Sequence, residues 1–283
     1  MISIITPTFN RAELIGKMID SVINQTYSDW ELIIVDDGSK DNTEEAIQQY
    51  LQDKRIRYIK KENSGATHSR NVGASHANGA FITFLDSDDE ALPNWLEEVS
   101  RELDQDTGIL CVGAIRKFND GRTAQEYPYD YSLSNERVKI KFTCGSLIIN
   151  RNIFNAIGGY DVKLLSNQHT DLGYRLLQYL KDKPLKKKSI HKCLIQINIH
   201  EGARIRTNWK LVSEGSIQFI SKHYQFLLQN RNTKHISNVY SVIAFSFYKL
   251  KQRKKSIQYL FKSIQYNPSN FKNYLKVIKY SFL

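Results

Sequence analysis

The sequence predicts an α/β protein built on a mostly parallel sheet that is flanked by helices, with a helical appendage in the C-terminal part of the chain. Short apolar runs typical of strands alternate with segments of helical periodicity over residues 2–85. This alternation favours parallel strands joined by right-handed crossovers. From residue 236 onward only helical periodicity is found, which predicts a helical appendage.

The predicted elements follow one another in a simple order. Apolar runs predict strands at residues 2–6, 31–35, 56–59 and 81–85. Helices are expected between these strands, at residues 14–23 with Asn10 as the cap, at 42–51 and at 66–77. The small residues of the third helix allow close packing on a sheet. Three more helices are predicted between residues 236 and 283.

Polar clusters follow three of the strands, at residues 7–11, 36–39 and 86–89. Because the carboxyl ends of parallel strands meet at one edge of a sheet, where such folds bind ligands, we expect a single site there. Asp86 and Asp88 point the same way in extended backbone and offer hard oxygen ligands to Mg²⁺ or Mn²⁺. The alternative for this pair alone is a solvated acidic turn that caps the helix near Pro93.

Several other classes of site are excluded by the motifs. The sequence has neither the glycine pattern of dinucleotide-binding folds after its first strand nor a Walker-type phosphate loop. Its three cysteines lack paired spacing, which argues against a zinc site or a disulfide framework and fits a reducing cytosol. No signal peptide and no apolar run of about 20 residues is found. We therefore expect a cytoplasmic protein.

Positive charge is concentrated near the C-terminal end. Residues 1–203 contain 25 Lys and Arg against 28 Asp and Glu, whereas residues 204–283 contain 15 basic residues and one acidic residue, Glu214. Such a segment favours attachment to an anionic membrane surface, on the inner face of the plasma membrane, and the alternative is a solvated basic face that binds nothing. Nucleic-acid binding is not expected, because the aromatic residues of this segment occupy its presumed core face.

Four sequence blocks occur in order along the first part of the chain: PTFNR at 7–11, QTYSDWELIIVDDGSKDNT at 25–43, NSGATHSRNVG at 63–73 and FLDSDD at 84–89. Together they resemble family-2 glycosyltransferases, which have the GT-A fold, a Rossmann-like sheet flanked by helices. The resemblance continues more weakly through residues 144–146 and 157–161 to 200–202. It implies a GT-A catalytic domain at 1–205, with a nucleotide-sugar half at about 1–90 and an acceptor half at about 91–205. The basic helical region then covers 206–283.

The resemblance implies transfer of a sugar, with inversion, from a nucleotide diphosphate sugar, usually a UDP-sugar, to an acceptor hydroxyl. The acceptor would be a glycan or a lipid-linked saccharide in surface polysaccharide or glycan biosynthesis. Roles at the donor site are implied for seven residues: Pro7, Phe9 and Arg11 beside the nucleotide, Asp36 and Asp37 at the base, Arg70 near the pyrophosphate, and Asp86 at the ribose.

The implied metal ligands for Mn²⁺ or Mg²⁺ are Asp88, Asp86 and His200. The implied general base is Asp171 in TDLGYR at 170–175, where Thr170 stands in place of the Glu that is common in the family. Without the resemblance, Asp171 is equally explained as the cap of a helix at 172–180. His200 taken alone is more often a surface histidine.

Two other functions are compatible with part of the pattern. A nucleotidyltransferase that makes sugar nucleotides shares the sheet and the metal carboxylates, but that class generally begins with a glycine-rich loop, which PTFNR lacks. A non-catalytic nucleotide-binding scaffold is the second alternative. The joint presence of Asp37, Asp86, Asp88 and Asp171 favours a hexosyltransferase-type enzyme instead.

Overall fold

A computed structural model describes residues 1–133, 136–199 and 208–281 of the chain. The strands are β1 (Ile2–Thr8), β2 (Trp30–Asp36), β3 (Ile56–Lys60), β4 (Phe81–Phe84), β5 (Glu90–Ala91), β6 (Thr107–Phe118), β7 (Thr123–Glu126), β8 (Tyr129–Leu133), β9 (Glu136–Ile140), β10 (Leu147–Asn150) and β11 (Lys186–Ile199). The helices are α1 (Ile15–Ile23), α2 (Thr43–Gln48), α3 (Ala66–Ser75), α4 (Trp95–Glu102), α5 (Arg151–Ala156), α6 (Gln168–Leu180), α7 (Trp209–Gln229), α8 (Thr233–Lys249), α9 (Arg253–Tyr266) and α10 (Phe271–Ser281).

The chain divides into two compact units. The first contains Met1–Tyr131, Val138–Tyr160 and Arg175–His200. The second contains Ser132–Arg137, Asp161–Tyr174 and Glu201–Leu283. Helix α6 therefore begins in the second unit and ends in the first.

The first unit is organised around a mixed, mostly parallel sheet with the strand order β3-β2-β1-β4-β10-β6-β11-β5. Strands β3, β2, β1 and β4 are parallel, as the strand–helix alternation predicts, and β10 runs antiparallel between β4 and β6. Strands β1 and β2 are buried along their whole length because their residues are almost all apolar. Helix α3 lies very close to β1, since a Cβ at Gly73 would overlap the Ile5 side chain.

The helices of the second unit pack in chain order, with α7 on α8, α8 on α9 and α9 on α10. Ala244, Leu260 and Tyr280 form a small buried cluster among α8, α9 and α10. Small polar residues join the same helices: the Ser237 hydroxyl donates to the Ser263 carbonyl at 2.7 Å, and the Asn273 amide donates to the Ser263 hydroxyl at 2.9 Å. None of the helices in the described part of the chain combines the length and the hydropathy that a membrane span requires.

The predicted strands and helices lie close to their expected positions, with two differences at helix starts, whereas strands β5 to β10 were not predicted. Helix α1 begins at Ile15 after Leu14, and Asn10 does not cap it. Helix α6 begins at Gln168, so Asp171 lies within its first turn and not at its cap. Helix α7 lies within the predicted helical region 206–283 but was not predicted as a separate helix, although Phe219, Ile220, Phe226 and Leu227 are buried at helical spacing.

Candidate active site

The three polar clusters lie at adjacent strand ends, as predicted. In the register of β1 and β2, Thr8 lies opposite Asp36, and the Asp37 amide donates to the Thr8 carbonyl at 2.9 Å. Strand β4 lies on the other side of β1, with Ile5 opposite Phe84. The segments after β1, β2 and β4 therefore share one edge of the sheet in the first unit.

Asn10 joins the segment after β1 to the segment after β2. Its φ angle of 52° is in the left-handed region, which Asn adopts more readily than most residues. This conformation lets its side chain accept from the Lys40 amide at 2.8 Å, while its own amide donates to the Ser39 hydroxyl at 2.9 Å. Two residues that precede Asn10 differ in exposure: Pro7 is buried, whereas Phe9 is 41% exposed. Phe9 therefore offers an apolar surface beside the contact between the two segments.

Asp36 is fully buried and stabilises the strand end. Its carboxylate accepts from the Tyr58 hydroxyl at 2.6 Å and from the Ser39 amide at 2.8 Å. Burial raises the pKa of Tyr58 above its ordinary range, and the hydrogen bond to Asp36 raises it further, so this phenol remains a donor. The Arg11 amide donates to the Thr43 hydroxyl at 2.8 Å, which places Arg11 beside the start of α2.

Asp37 is almost completely buried and faces the start of α3. It accepts from the Ser64 amide at 2.9 Å, the Gly65 amide at 2.7 Å and the Ser69 hydroxyl at 3.1 Å, and it pairs with the Lys61 ammonium. Burial alone would raise the pKa of Asp37, but Lys61 and the two amides together hold that pKa below its ordinary value. Asp37 is therefore a carboxylate at neutral pH.

Arg70 and Asp86 form a mostly buried pair on the same edge. The guanidinium donates to the Asp86 Oδ1 atom at 2.6 Å and lies 5.7 Å from the centre of the Tyr160 ring. The Cys144 thiol donates to the same oxygen at 3.1 Å, and burial, followed by the charge of Asp86, raises the pKa of this thiol. The Arg70 Nε atom is buried and has no hydrogen-bond partner in the described part of the chain.

Three carboxylates after β4 form the metal-binding candidate in the first unit. One oxygen from each of Asp86, Asp88 and Asp89 lies within 4.8 Å of the others. Two ligands of one Mg²⁺ ion are at most about 4 Å apart, so small side-chain rotations bring this set to an ion. Carboxylate oxygens are also the ligands that Mg²⁺ and Mn²⁺ prefer. The residues present therefore fit a hard divalent cation.

The end of β11 fastens this carboxylate loop. The Asn198 amide donates to the Asp89 Oδ1 atom at 3.0 Å, and its side-chain amide donates to the Asp88 carbonyl at 2.9 Å. The same side chain donates to the Glu90 carboxylate at 3.0 Å. His200, a predicted metal ligand two positions farther along, lies outside the described residues.

Asp171 lies in the second unit, where α6 faces α7. It is fully buried, and its Oδ1 atom lies 2.7 Å from the Lys222 ammonium and 2.8 Å from the His223 Nε2 atom. Lys222 also lies 2.7 Å from the Asp161 carboxylate. Burial, and then the neighbouring His223, lowers the pKa of His235 to about 4, so His235 is neutral at neutral pH.

Sequence reasoning missed most of the partners of these predicted residues. Five side chains were assigned no role from the sequence: Lys61, Asp89, Asn198, Lys222 and His223. Asp89 was part of the FLDSDD block and was the one partner with a local signal, because it follows Asp88 directly. The others are 24 to 110 positions from the groups they contact, so only the fold brings them together.

Known proteins with similar sequences are glycosyltransferases. Residues 3–162 match the sequence model of Glycosyl transferase family 2. A Haemophilus influenzae protein named as an uncharacterized glycosyltransferase is 29% identical over 277 residues, which cover 91% of this chain and 92% of that protein. A Bacillus subtilis protein named for teichuronic acid biosynthesis, TuaG, is 42% identical over 100 residues, which cover 35% of this chain and 40% of that protein.

Solved structures share the fold. TarS of S. aureus in complex with UDP-GlcNAc matches with a TM-score of 0.63 at 18% identity, over 94% of this chain and 81% of that chain. The mannosyltransferase PcManGT of Pyrobaculum calidifontis, in complex with GDP-Man and Mn²⁺, matches with a TM-score of 0.61 at 13% identity, over 93% of this chain and 75% of that chain. These likenesses confirm the predicted GT-A architecture.

Proposed function

The chain belongs to glycosyl transferase family 2 and is a glycosyltransferase, and we propose that it transfers a sugar from a UDP-sugar to an acceptor hydroxyl with inversion. The observation that carries this proposal is the carboxylate cluster of Asp86, Asp88 and Asp89, at the sheet edge that also contains Asp37 and Arg70. Neither the matching family model nor the similar proteins named above support the two alternatives, a nucleotidyltransferase and a non-catalytic scaffold.

We assign the nucleotide to the segments after β1 and β2. Pro7 and the exposed Phe9 ring border the base, and Asp37, held as a carboxylate, accepts from the uracil ring. Asp36 contributes by fixing the turn that follows it, through Ser39. Arg11 and Arg70 supply positive charge for the diphosphate, which a guanidinium recognises through paired N–H donors.

Asp88 and Asp86, with His200, are the proposed ligands of Mn²⁺ or Mg²⁺, and Asp89 completes the carboxylate set. Arg70 already compensates one charge of this cluster at Asp86, which leaves Asp88 as the principal ligand. When bound, such a cation neutralises charge that develops on the leaving diphosphate. Asn198 keeps the loop in place by its two hydrogen bonds to Asp88 and Asp89.

The proposed chemical step is a direct displacement. The acceptor oxygen forms a bond to the anomeric carbon as the bond from that carbon to the diphosphate oxygen breaks, and the nucleotide diphosphate leaves with the electron pair. The acceptor proton passes to the Asp171 carboxylate. Because Asp171 is buried against Lys222 and His223, this transfer requires the carboxylate to become accessible when the acceptor binds.

The proposed acceptor is a glycan or a lipid-linked saccharide in surface polysaccharide synthesis. The similarity to TuaG, which is named for teichuronic acid biosynthesis, supports this context. We propose that the enzyme works in the cytoplasm on the inner face of the plasma membrane. The basic residues near its C-terminal end attract anionic lipid, at about 1 kcal/mol for each residue close to the surface.

Release of UDP from a panel of UDP-sugars, with and without Mn²⁺, tests the donor and the metal together. Asp88→Asn should weaken Mn²⁺-dependent UDP binding roughly tenfold or more, because the principal charged ligand is lost. Binding is measured by calorimetry with UDP in the presence of Mn²⁺ and of a chelator.

Asp120→Asn is the matched control for this test, since Asp120 pairs with Arg122 in the exposed turn between β6 and β7. It should leave UDP binding unchanged. If Asp88→Asn and Asp120→Asn bind UDP equally well in Mn²⁺, the metal assignment is wrong. If no UDP-sugar is turned over while GDP-sugars are, the donor assignment is wrong.

A further inference from the structure

Helix α10 presents an apolar stripe on its outer face. The stripe consists of Phe271, Tyr274, Leu275 and Ile278, which are 78%, 41%, 66% and 57% exposed. Their spacing of three, four and seven positions puts them on one side of the helix. A run of large apolar side chains that remains uncovered on one helix usually marks a binding surface.

The opposite face of α10 is the one that packs on the second unit. Tyr280 is buried and stacks on Tyr248 of α8 at 4.0 Å between ring centres. Asn273 is also buried, and the Lys276 ammonium donates to the Ser241 hydroxyl at 2.8 Å. Helix α10 is therefore anchored by a polar and aromatic face, and its apolar stripe is not part of that packing.

The stripe has a basic border. Lys272 and Lys279 are exposed and lie on one side of the stripe by helical spacing. The described residues 208–281 contain 13 lysine and arginine residues, and Glu214 is their only acidic residue. No Asp or Glu follows Glu214 in the sequence, so α8, α9 and α10 have no acidic side chain of their own to neutralise this charge.

We propose that α10 lies in the plane of an anionic lipid membrane, with Phe271, Leu275 and Ile278 inserted at the headgroup boundary. This deepens the membrane-surface part of the proposed function and rests on it. An amphipathic helix with an aromatic and aliphatic face beside lysines is suited to this interface. The lysines reach the lipid phosphates, while Tyr274, at the edge of the stripe, places an aromatic ring at headgroup level.

Charge favours lipid over the other occupants of such a face. A second copy of the chain would bring two equally basic helical units together, which like-charge repulsion opposes. The sequence-based expectation that the aromatic residues face the core is wrong for Phe271 and Tyr274, which are exposed and could stack on bases. The same stripe also exposes the aliphatic Leu275 and Ile278, which an apolar lipid layer would cover and a nucleic acid would not. An anionic membrane offers both a negative surface for the lysines and an apolar layer for the stripe.

Flotation of the full chain with lipid vesicles tests this proposal. The protein should float with vesicles of phosphatidylcholine mixed with phosphatidylglycerol and much less with phosphatidylcholine alone. Leu275→Gln combined with Ile278→Gln should reduce the partition into anionic vesicles by roughly tenfold or more, because two apolar side chains no longer insert. Val242→Gln is the matched control, since Val242 is a 45% exposed apolar residue on α8.

A fluorescence measurement locates the stripe directly. Phe271→Trp should show a blue shift of its added emission on anionic vesicles, as the indole enters the headgroup boundary. Because these positions are exposed, the variants should unfold at the same temperature as the parent chain, and each is checked by thermal melting.

Three outcomes would overturn the proposal. If the glutamine variant floats as well as Val242→Gln, membrane attachment belongs to the basic residues elsewhere and not to α10. If the parent chain floats with neither vesicle, the membrane part of the proposed function fails as well. If sedimentation shows a dimer that the glutamine variant loses, the stripe binds a second copy. UDP release by the same preparations reports independently on the transferase activity.

Discussion

Asp37 and Asp171 are both buried carboxylates, but the chain holds them in different ways. Asp37, in the first unit, receives two backbone amides and the Ser69 hydroxyl besides its contact with Lys61. Asp171, in the second unit, is faced by the side chains of Lys222 and His223 from α7. The first therefore depends in part on a backbone conformation, whereas the contacts of the second described here come from particular side chains.

This difference predicts how each carboxylate responds to substitution. Where backbone amides supply part of the contacts, a change in backbone conformation removes them even if every neighbouring side chain is kept. Where two side chains hold it, removing either one leaves a buried charge with less compensation. The three tests that follow are ordered by the size of the expected effect.

The largest effect is expected at Asp171. Asp171→Asn should lower the rate of sugar transfer by about 10²–10⁴-fold, because the amide cannot take up the acceptor proton. UDP binding in Mn²⁺ should remain unchanged, since Asp171 is not among the residues assigned to the nucleotide or to the metal. Single-turnover transfer and UDP calorimetry on the same preparation separate the two quantities.

Asp161→Asn is the control for Asp171→Asn, because Asp161 pairs with the same Lys222 ammonium at 2.7 Å. Its transfer rate should stay within a few-fold of the parent rate. Equal losses in the two variants would mean that Asp171 acts through the ion pairs of Lys222, as a structural residue, and the assignment of the base would have to be withdrawn.

A smaller effect, on stability, is expected at His223. This histidine is 1% exposed, and its Nε2 atom lies 2.8 Å from the Asp171 Oδ1 atom. His223→Leu should reduce the free energy of unfolding by about 2–3 kcal/mol, because a buried carboxylate then keeps Lys222 as its charged partner but loses one donor. Urea denaturation gives this difference from the shift in midpoint.

His223→Gln distinguishes the hydrogen bond from the loss of the ring. Its amide can still donate toward Asp171, so it should recover a substantial part of the stability that His223→Leu loses. If the two variants are equally destabilised, the ring packing against Tyr174 and Phe219 outweighs the contact with Asp171, and Asp171 does not depend on its side-chain partners as argued above.

The same contrast explains what the sequence could predict. Strands β1 to β4 are short apolar runs, so their positions follow from local pattern, and the parallel order places their polar ends together. The role assigned to Asp37 came from the segment 25–43 that resembles the family, and the amides that contact Asp37 lie in a second such segment, 63–73. Asn198 and His223 belong to no block. Their contacts with Asp88, Asp89 and Asp171 form only when β11 and α7 pack in the folded chain, so a local sequence pattern does not predict them.

The smallest effect is expected at Gly65, which supplies backbone conformation to Asp37. Gly65 has φ 93° and ψ 152°, a region that residues with a Cβ adopt only under strain, and a Cβ there would meet no atom within 4 Å. Gly65→Ala should therefore lower the free energy of unfolding by about 1–2 kcal/mol through strain alone. It should also weaken UDP binding, because the Gly65 amide would turn away from Asp37.

The control is Ser64→Ala, which keeps its own amide on Asp37 and should change the free energy of unfolding by about 0.5 kcal/mol or less. Equal thermal stability of Gly65→Ala and Ser64→Ala would show that Asp37 does not require this backbone conformation, and the distinction between the two carboxylates would be lost.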